Sequence, residues 1–249
     1  MNQSAHRWIT LNFLNIFKRM EDFIFPPLCI LCDKPRLPDN DWLCSGCLDH
    51  LLNNHKNRKS CPRCSQNTLV RSCTCDFVWD FPYESICSFL DYDEKVQTIM
   101  HHIKYFNKKY LAFYIGSLFS QYIEQNVFDD ADFIIAVPLH WLRKYKRGYN
   151  QAEWFTRGII SGRTKPVLIT SGLFRKRRTR TQVKLDKSAR KRNVQGAFGI
   201  TDTLQKSIKN KSVLLVDDVI TTGATTASCA EALLGGGCAK VEVLSLARD

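Results

Sequence analysis

Two adjacent carboxylates followed by a threonine-rich glycine loop are the part of this sequence best suited to binding chemistry. Asp217 and Asp218 follow the apolar run at residues 213–216, and the sequence TTGAT comes next, at residues 221–225. Carboxylates at the end of a buried strand can accept hydrogen bonds from the vicinal hydroxyls of a ribose. Hydroxyl groups, a glycine and the free N–H groups of a starting helix form a cradle for a phosphate. The pattern therefore predicts a site for a phosphorylated ribose.

The same stretch has a simpler interpretation, in which one Asp and one Thr cap the helix of an ordinary strand-to-helix turn. Capping needs a single such residue, however, and gives no reason for paired acids before a Thr-rich glycine loop. We therefore favour the ligand site. Its candidate members are Asp217, Asp218, Val219, Thr221, Thr222, Gly223, Ala224 and Thr225.

The cysteines form a second candidate site, because eight of the 11 lie between residues 29 and 75. Two C-x-x-C knuckles, CILC and CSGC, supply four thiolates in the arrangement that zinc prefers. A second set, CPRC and CTC, is less regular, since one residue between two sulfurs strains their binding to one ion. We expect one or two structural zinc ions at Cys29, Cys32, Cys44, Cys47, Cys61, Cys64, Cys73 and Cys75. The remaining cysteines, Cys87, Cys229 and Cys238, are predicted to be small buried hydrophobic residues.

Short apolar runs alternate with helical patterns in the segment that must position the acid pair. The runs are rich in β-branched residues and predict buried parallel strands at 133–137, 166–169, 213–218 and 241–247. The helical patterns cover residues 94–105, 111–126, 150–160 and 224–234. This alternation predicts an α/β fold, with a parallel sheet flanked by helices. We expect three parts: a short amphipathic helix within residues 1–20, a zinc-ribbon domain at 21–80 and the α/β domain at 81–249.

The balance of charge favours anionic partners. Lys and Arg number 36 against 24 Asp and Glu, which gives a net charge of +12 and suits phosphate, pyrophosphate or nucleic acid. Residues 173–192 carry ten Lys or Arg and the single acid Asp186. We expect this stretch to be a mobile surface segment that could close over a ligand, follow a nucleic-acid backbone or simply face water.

The N-terminal 20 residues predict neither a secretory signal nor a membrane span. Apolar residues between 8 and 20 are broken by Asn and Thr, and no apolar run approaches the 18 or so residues that a membrane-spanning helix needs. A short amphipathic helix on the body of a cytoplasmic protein is the expectation, and a membrane-surface role is the alternative.

The acid pair and its loop resemble the phosphoribosyl-pyrophosphate motif of type I phosphoribosyltransferases. The resemblance implies that the acids hold the ribose hydroxyls, that the loop holds the 5′-phosphate, and that Mg2+ accompanies the ligand. Further matches, over about residues 25–247, resemble the ComF family, named for competence proteins. They include Pro138, Leu139, His140, Arg143, Arg147, Gln151, Thr179, Gln182, Leu185, Arg190, Asn193 and Phe198.

By this resemblance, the loop at residues 138–148 contacts pyrophosphate. Its members Pro138, Leu139, Arg143 and Arg147, with Gln182 and Arg190 of the basic segment, form the implied pyrophosphate loop and lid. The family also implies a double zinc ribbon before the phosphoribosyltransferase-like domain and a role in DNA uptake during natural competence. Single-stranded DNA and the competence helicase machinery are the implied macromolecular partners.

Three functions stay open on the sequence alone. The chain is a DNA-handling protein that binds phosphoribosyl pyrophosphate, or an active phosphoribosyltransferase, or a metabolite sensor. No residue between 92 and 160 indicates a nucleobase pocket or an ammonia channel, so the acceptor of an enzyme cannot be identified. Candidate stacking residues for single-stranded DNA are Trp42, Trp79, Phe81, Trp141 and Tyr149.

Overall fold

The computed structural model describes residues 27–36, 42–73, 75, 81–123, 128, 130–163, 166–176 and 196–249. The chain divides into two compact units, residues 1–53 and 54–249. The predicted helix within residues 8–20 lies outside the described part, as do residues 76–80, so the domain boundary near residue 80 stays a prediction.

The smaller unit is organised around the first cysteine set. Residues 28 and 35 form an antiparallel bridge, and the amide of Cys29 donates to the carbonyl of Lys34 at 2.9 Å, which closes the first knuckle. Helix α1 begins at Ser45 and ends at Asn57. Leu43, just before this helix, and Leu51 within it are fully buried.

The larger unit contains a five-stranded sheet in which every neighbouring pair is parallel. The strand order is β1-β7-β6-β2-β3, with β4 and β5 forming a separate antiparallel pair. The strands are β1 (Ile86–Asp91), β2 (Phe133–Ala136), β3 (Val167–Ile169), β4 (Leu173–Arg175), β5 (Phe198–Ile200), β6 (Ser212–Ile220) and β7 (Lys240–Arg248). The helices are α2 (Glu94–Tyr105), α3 (Lys109–Ser120), α4 (Trp141–Arg147), α5 (Gln151–Ile159), α6 (Asp202–Ile208) and α7 (Ala224–Gly235).

Close helix packing next to the sheet depends on two glycines. A Cβ at Gly116 of α3 would lie 2.2 Å from the carbonyl oxygen of Phe155, and one at Gly158 of α5 would lie 2.0 Å from that of Phe113. The backbones of α3 and α5 therefore touch, and the start of α5 lies near the carboxyl end of β2, because the side chain of its N-cap residue Asn150 donates to the carbonyl of Val137 at 2.9 Å. This start carries Gln151, which takes part in the site described below.

The α/β prediction is confirmed, including the four predicted strands and helices α2, α5 and α7. Helix α3 ends at Ser120, earlier than predicted, and residues 124–127 lie outside the described part. Strand β1 was not predicted, because Cys87 and Ser88 interrupt its apolar pattern. The expected mobile segment begins instead with strand β4, whose Leu173 is buried, and residues 177–195 lie outside the described part.

One cysteine prediction was wrong. Cys229 and Cys238 are buried, as expected, but Cys87 is exposed. Successive side chains of a strand point to opposite faces, so Cys87 faces outward while its neighbours Ile86 and Ser88 are buried. Among the described residues, no helix is long and apolar enough to span a membrane.

Candidate functional site

The acid pair lies near the carboxyl end of the central strand β6. This strand continues to Ile220, beyond the predicted end, so Asp217 and Asp218 are held inside a paired strand, with Asp217 opposite Ser245 of β7. Asp218 is buried and Asp217 is partly exposed. The carboxyl ends of neighbouring parallel strands form the edge where open α/β sheets bind ligands.

Three groups hold the Asp218 carboxylate. The ammonium of Lys104, at the end of α2, lies 2.9 Å from Oδ2, and the side-chain amide of Gln151 donates to the same oxygen at 3.0 Å. The amide of Val219 donates to Oδ1 at 2.8 Å. Arg147 in turn donates to the Oε1 atom of Gln151, so a second cation is linked to Asp218 through Gln151.

The two acids have opposite pKa shifts. Burial raises the pKa of Asp217 well above its ordinary value, and the negative charge of Asp218 adds to this effect. Burial would also raise the pKa of Asp218, but the Lys104 ammonium outweighs it and lowers that pKa to about 2. The pair therefore concentrates its negative charge on Asp218 when no ligand is bound.

The loop after β6 is held by three contacts. The Arg248 guanidinium donates to the carbonyl of Thr221 at 2.7 Å, and the Thr226 hydroxyl donates to the carbonyl of Gly223 at 2.8 Å. The Tyr83 hydroxyl lies 3.1 Å from the Thr226 hydroxyl, and burial raises the pKa of Tyr83 to about 12. The side chains of Arg248, Thr226 and Tyr83 thus hold the backbone of the loop in place.

Helix α7 starts without a side-chain cap. Its N-cap residue is Gly223, in the left-handed region at φ 73°, and a glycine has no side chain that could accept from the first turn. This differs from the capped turn that an Asp or Thr at the N-cap would give. Among the described contacts of this first turn, the Ala224 amide donates to the Thr222 hydroxyl at 3.4 Å, and the positive end of the helix dipole there would favour an anion.

We expect Gly223→Ala to weaken both the fold and the site. The positive φ costs about 1 kcal/mol for a residue with a Cβ, and that Cβ would lie 2.9 Å from the Tyr83 hydroxyl and 3.0 Å from the Phe81 ring. A loss of about 1–2 kcal/mol in the free energy of unfolding should follow, measured by chemical denaturation. Gly235→Ala in the same helix is the control, since its Cβ would meet nothing within 4 Å. Equal stabilities of the two variants would contradict the constraint at Gly223.

The pyrophosphate loop and lid residues are only partly brought to the acid pair. Arg147 reaches it through Gln151, whereas Arg143 is exposed on α4. Pro138 and Leu139 line a neighbouring cavity of about 210 Å³, together with Trp141, Lys144 and Phe174 among others. Gln182 and Arg190 lie outside the described residues.

Sequence reasoning missed Lys104 and assigned no contact to Gln151. Gln151 was part of a resembling motif, which could have indicated a site residue. Lys104 carries little signal of its own, because cations are common in the last turn of a helix. Its place beside Asp218 is shown only by the 2.9 Å contact between the two side chains.

The exposed aromatic residues differ from those predicted as stacking platforms. Trp141 is exposed, but Tyr149 is 5% exposed and donates its hydroxyl to the carbonyl of Ile103, so it is a core residue. Trp42 and Phe81 are half-buried, and Trp79 lies outside the described residues. The structure instead exposes Tyr105, Phe106, Tyr110, Tyr145 and Phe174.

Both cysteine sets are brought together as possible metal sites. Within each group of four, the Sγ atoms lie within 4.8 Å of one another, as in the pairs Cys32 with Cys44 and Cys61 with Cys75, both at 3.5 Å. Four thiolates around one zinc at about 2.3 Å lie roughly 3.8 Å apart, so these residues fit the ion. The irregular spacing of Cys73 and Cys75 does not prevent their convergence, because their Sγ atoms are 3.0 Å apart.

The thiols of each set differ in pKa, and a bound cation would favour the thiolate form of all four. Burial opposes ionisation of Cys29 and Cys61, but backbone N–H groups lower the pKa of each to about 7. Burial and neighbouring sulfurs raise the pKa of Cys47 and Cys75. A divalent ion is therefore needed to hold four thiolates together, and its effect here would be structural.

The second cysteine set belongs to the larger unit, where it is bonded to edge strand β1. The amide of Ile86 donates to the carbonyl of Arg63 at 2.8 Å, and that of Ser88 donates to the Ser65 hydroxyl at 2.9 Å. Arg58, whose side chain is 2% exposed, joins the two by donating to the carbonyls of Ser65 and Ser88. It also forms an ion pair with Asp91 at 2.8 Å.

Comparison with known proteins gives relatives for both parts of the chain. Residues 125–249 match the phosphoribosyl transferase domain, which is half of the chain. The DNA utilization protein YhgH of Salmonella typhimurium is 29% identical over 230 residues, which cover 90% of this chain and 97% of that protein. Competence protein F of Haemophilus influenzae is 35% identical over 115 residues, 46% of this chain and 49% of that protein. A solved structure of the allosteric regulatory enzyme of purine biosynthesis matches 54% of this chain and 25% of its own, with 20% identity and a TM-score of 0.36.

Proposed function

Since this chain belongs to the phosphoribosyl transferase domain family, and within it is a ComF-family protein, we propose that it binds phosphoribosyl pyrophosphate with Mg2+ at the acid pair and loop of β6. One observation carries the proposal. Asp217 and Asp218 stand at the carboxyl end of β6, directly before a threonine-rich loop and a helix whose N-cap is a glycine in the left-handed region. This is the combination that a ribose and its 5′-phosphate require.

Each part of the ligand has matching groups in the proposed complex. Asp217 and Asp218 accept the ribose hydroxyls, and Thr221, Thr222, Gly223, Ala224 and Thr225 surround the 5′-phosphate. Lys104 and Arg147 supply positive charge beside the acid pair, where pyrophosphate would lie. Mg2+ would neutralise part of the pyrophosphate charge and arrive with it.

The direct test is calorimetric titration of the protein with phosphoribosyl pyrophosphate in the presence of Mg2+. Saturable binding with a stoichiometry of one, lost when ribose 5-phosphate replaces the titrant at equal concentration, supports the full ligand. No heat of binding with either compound would overturn the proposal.

We further propose that the protein handles DNA, since its relatives carry the names DNA utilization protein and competence protein F. An aromatic–basic surface, consisting of Tyr105, Phe106, Trp141, Lys144 and Tyr145, lies on α4 and at the end of α2. Its four aromatic residues are 57% to 84% exposed, and Lys144 is exposed beside them. Exposed rings next to cations suit unstacked bases and their phosphates.

This surface lies beside the acid pair. Tyr105 directly follows Lys104, which contacts Asp218, and the charge of Arg147 at the end of α4 interacts with Tyr105. Trp141 and Tyr145 are four residues apart on α4 and thus lie on the same side of that helix. A single strand bound here would run next to the proposed phosphoribosyl site.

We expect Tyr105→Ala with Phe106→Ala to weaken single-stranded DNA binding at least about tenfold, because stacking contributes about 1–3 kcal/mol per base. Fluorescence anisotropy with a labelled oligonucleotide measures the effect. The salt dependence should stay the same, since no cation is removed, whereas Lys144→Ala should reduce its slope. Val167→Ala is the control, as Val167 is half exposed at the opposite end of the sheet. Equal affinities of the double variant and this control would contradict the proposed surface.

The alternative is an active phosphoribosyltransferase, and the cavity beside the pyrophosphate loop favours it. This space of about 210 Å³ has ring surfaces from Trp141 and Phe174 and polar groups from Glu153 and Thr170. Incubation with phosphoribosyl pyrophosphate, Mg2+ and a panel of bases, ammonia donors and single-stranded DNA would distinguish the two functions. Release of pyrophosphate that depends on one acceptor supports the enzyme, and binding without release supports the DNA-handling protein.

A further inference from the structure

The Oδ2 atom of the Asp218 carboxylate already has two donors before any ligand arrives. Its Oδ2 atom accepts from Lys104 at 2.9 Å and from Gln151 at 3.0 Å, and its Oδ1 atom accepts from the Val219 amide. The ion pair is sheltered from water, since the Lys104 side chain is 25% exposed and that of Asp218 is 12% exposed. A ribose hydroxyl or a metal ion can approach Oδ2 only if one of these donors moves.

Of the two donors on Oδ2, Lys104 is the one built to move. Gln151 is buried at the start of α5 and is held by Arg147, whereas Lys104 reaches the acid on a flexible four-carbon side chain. Burial alone would lower the pKa of Lys104, but Asp218 raises it above its ordinary value, so the side chain is an ammonium at neutral pH. Lys104 is thus a counter-ion that the protein itself supplies to the acid pair.

An ammonium in this position changes which metal species the acids can accept. The negative charge of the acid pair attracts a free divalent cation, but a positive charge 2.9 Å from Asp218 repels it. A metal that is already bound to pyrophosphate carries net negative charge with it, and this anion attracts the ammonium. The same lysine therefore disfavours the free metal and favours the metal–pyrophosphate complex.

We propose that Lys104 is a displaceable counter-ion of the acid pair, which excludes free divalent metal from Asp217 and Asp218 and transfers to the pyrophosphate when the metal-bound ligand enters. The inference rests on the proposed function for its second half. It assigns the lysine a positioning and selecting role, and it predicts that metal and ligand bind together.

The first test needs no phosphoribosyl ligand, so its outcome is separate from that of the proposed function. Mn2+ is titrated into the zinc-loaded wild type, Lys104→Met and Lys104→Arg, and bound metal is followed by electron paramagnetic resonance. Both the wild type and Lys104→Arg should bind Mn2+ at least tenfold more weakly than Lys104→Met, because they keep the positive charge. Lys104→Gln keeps a donor to Asp218 without the charge and should behave like Lys104→Met, which guards against a folding defect in the latter. Equal Mn2+ affinity in all four proteins would overturn the proposal.

The second test addresses transfer of the ammonium to the ligand. Affinity for phosphoribosyl pyrophosphate with Mg2+ should fall at least tenfold in Lys104→Met and Lys104→Gln, and Lys104→Arg should recover most of it. Lys211→Met is the control, since it removes an exposed ion pair with Asp132 at the opposite end of the sheet and should change neither affinity. A lysine that served the fold alone would lower the melting temperature without raising Mn2+ affinity, and that result would also overturn the proposal.

Discussion

Phosphoribosyl pyrophosphate binding should fall at least about a hundredfold in the double variant Asp217→Asn, Asp218→Asn, as measured by calorimetry in the presence of Mg2+. Hydrogen bonds to a charged group contribute about 1.5–3 kcal/mol each, and two such bonds to the ribose hydroxyls are weakened together. Every 1.4 kcal/mol is a factor of ten in affinity. The variant should also keep its zinc content, because it leaves all eight cysteines of the two sets unchanged.

The control for this variant is Glu94→Gln, which removes an exposed carboxylate at the start of α2. It changes the net charge without removing a group that contacts Asp217 or Asp218, so its affinity should equal that of the wild type. A melting curve is needed as well, since neutralising Asp218 leaves Lys104 without its partner. If the folded double variant binds as tightly as Glu94→Gln, the assignment of the acid pair is wrong.

The second large effect is expected at the second cysteine set. Cys61→Ser with Cys64→Ser should lower the melting temperature of the larger unit by about 5–10 °C, because this set is bonded to β1 through Arg58, Arg63 and Ser65. A loss of about 3 kcal/mol corresponds to a shift of this size in a unit of this length. Zinc binding is folding free energy, so the loss should appear as reduced stability.

The matched variant is Cys29→Ser with Cys32→Ser in the smaller unit. It removes the same chemical groups from the first cysteine set, and the melting transition of the larger unit should stay within about 1 °C of the wild type. Calorimetry with metal analysis before each scan separates the two sets. Equal shifts from both pairs of substitutions would contradict the placement of the second set in the larger unit.

Much of the fold could be predicted because its signals are local. The strands of the sheet interior are apolar on both faces. Residues 94–105 and 224–234 have helical patterns, the second closed by glycines, and both were correctly predicted as helices. The position of Asp217 and Asp218 at the carboxyl end of β6 follows from the same pattern. By contrast, β1 lies at the edge of the sheet and mixes polar with apolar residues, which hides its period.

The partners of the acid pair could not be predicted, since they depend on contacts between distant segments. Lys104 and Asp218 are more than a hundred residues apart, and only the packing of α2 beside the sheet brings them to 2.9 Å. The contacts of Arg58 could not be predicted either, because its bonds to Ser88 and Asp91 join two segments that share no motif. Spacing identified the cysteines, but it could not place the second set on β1.

The second cysteine set and Arg58 cover part of the outer edge of β1. A strand at the edge of a sheet exposes backbone N–H and C=O groups that can pair with another molecule and start aggregation. Here the outward amides of Ile86 and Ser88 donate to the Arg63 carbonyl and the Ser65 hydroxyl, beside Cys64 of the second cysteine set, and the outward carbonyl of Ser88 accepts from Arg58. Because a bound metal would hold residues 61–75 in place, we expect its removal to expose this edge and to raise the oligomeric state measured by light scattering. Pairing of two molecules through β1 would then depend on whether the cysteines at residues 61–75 hold a metal ion.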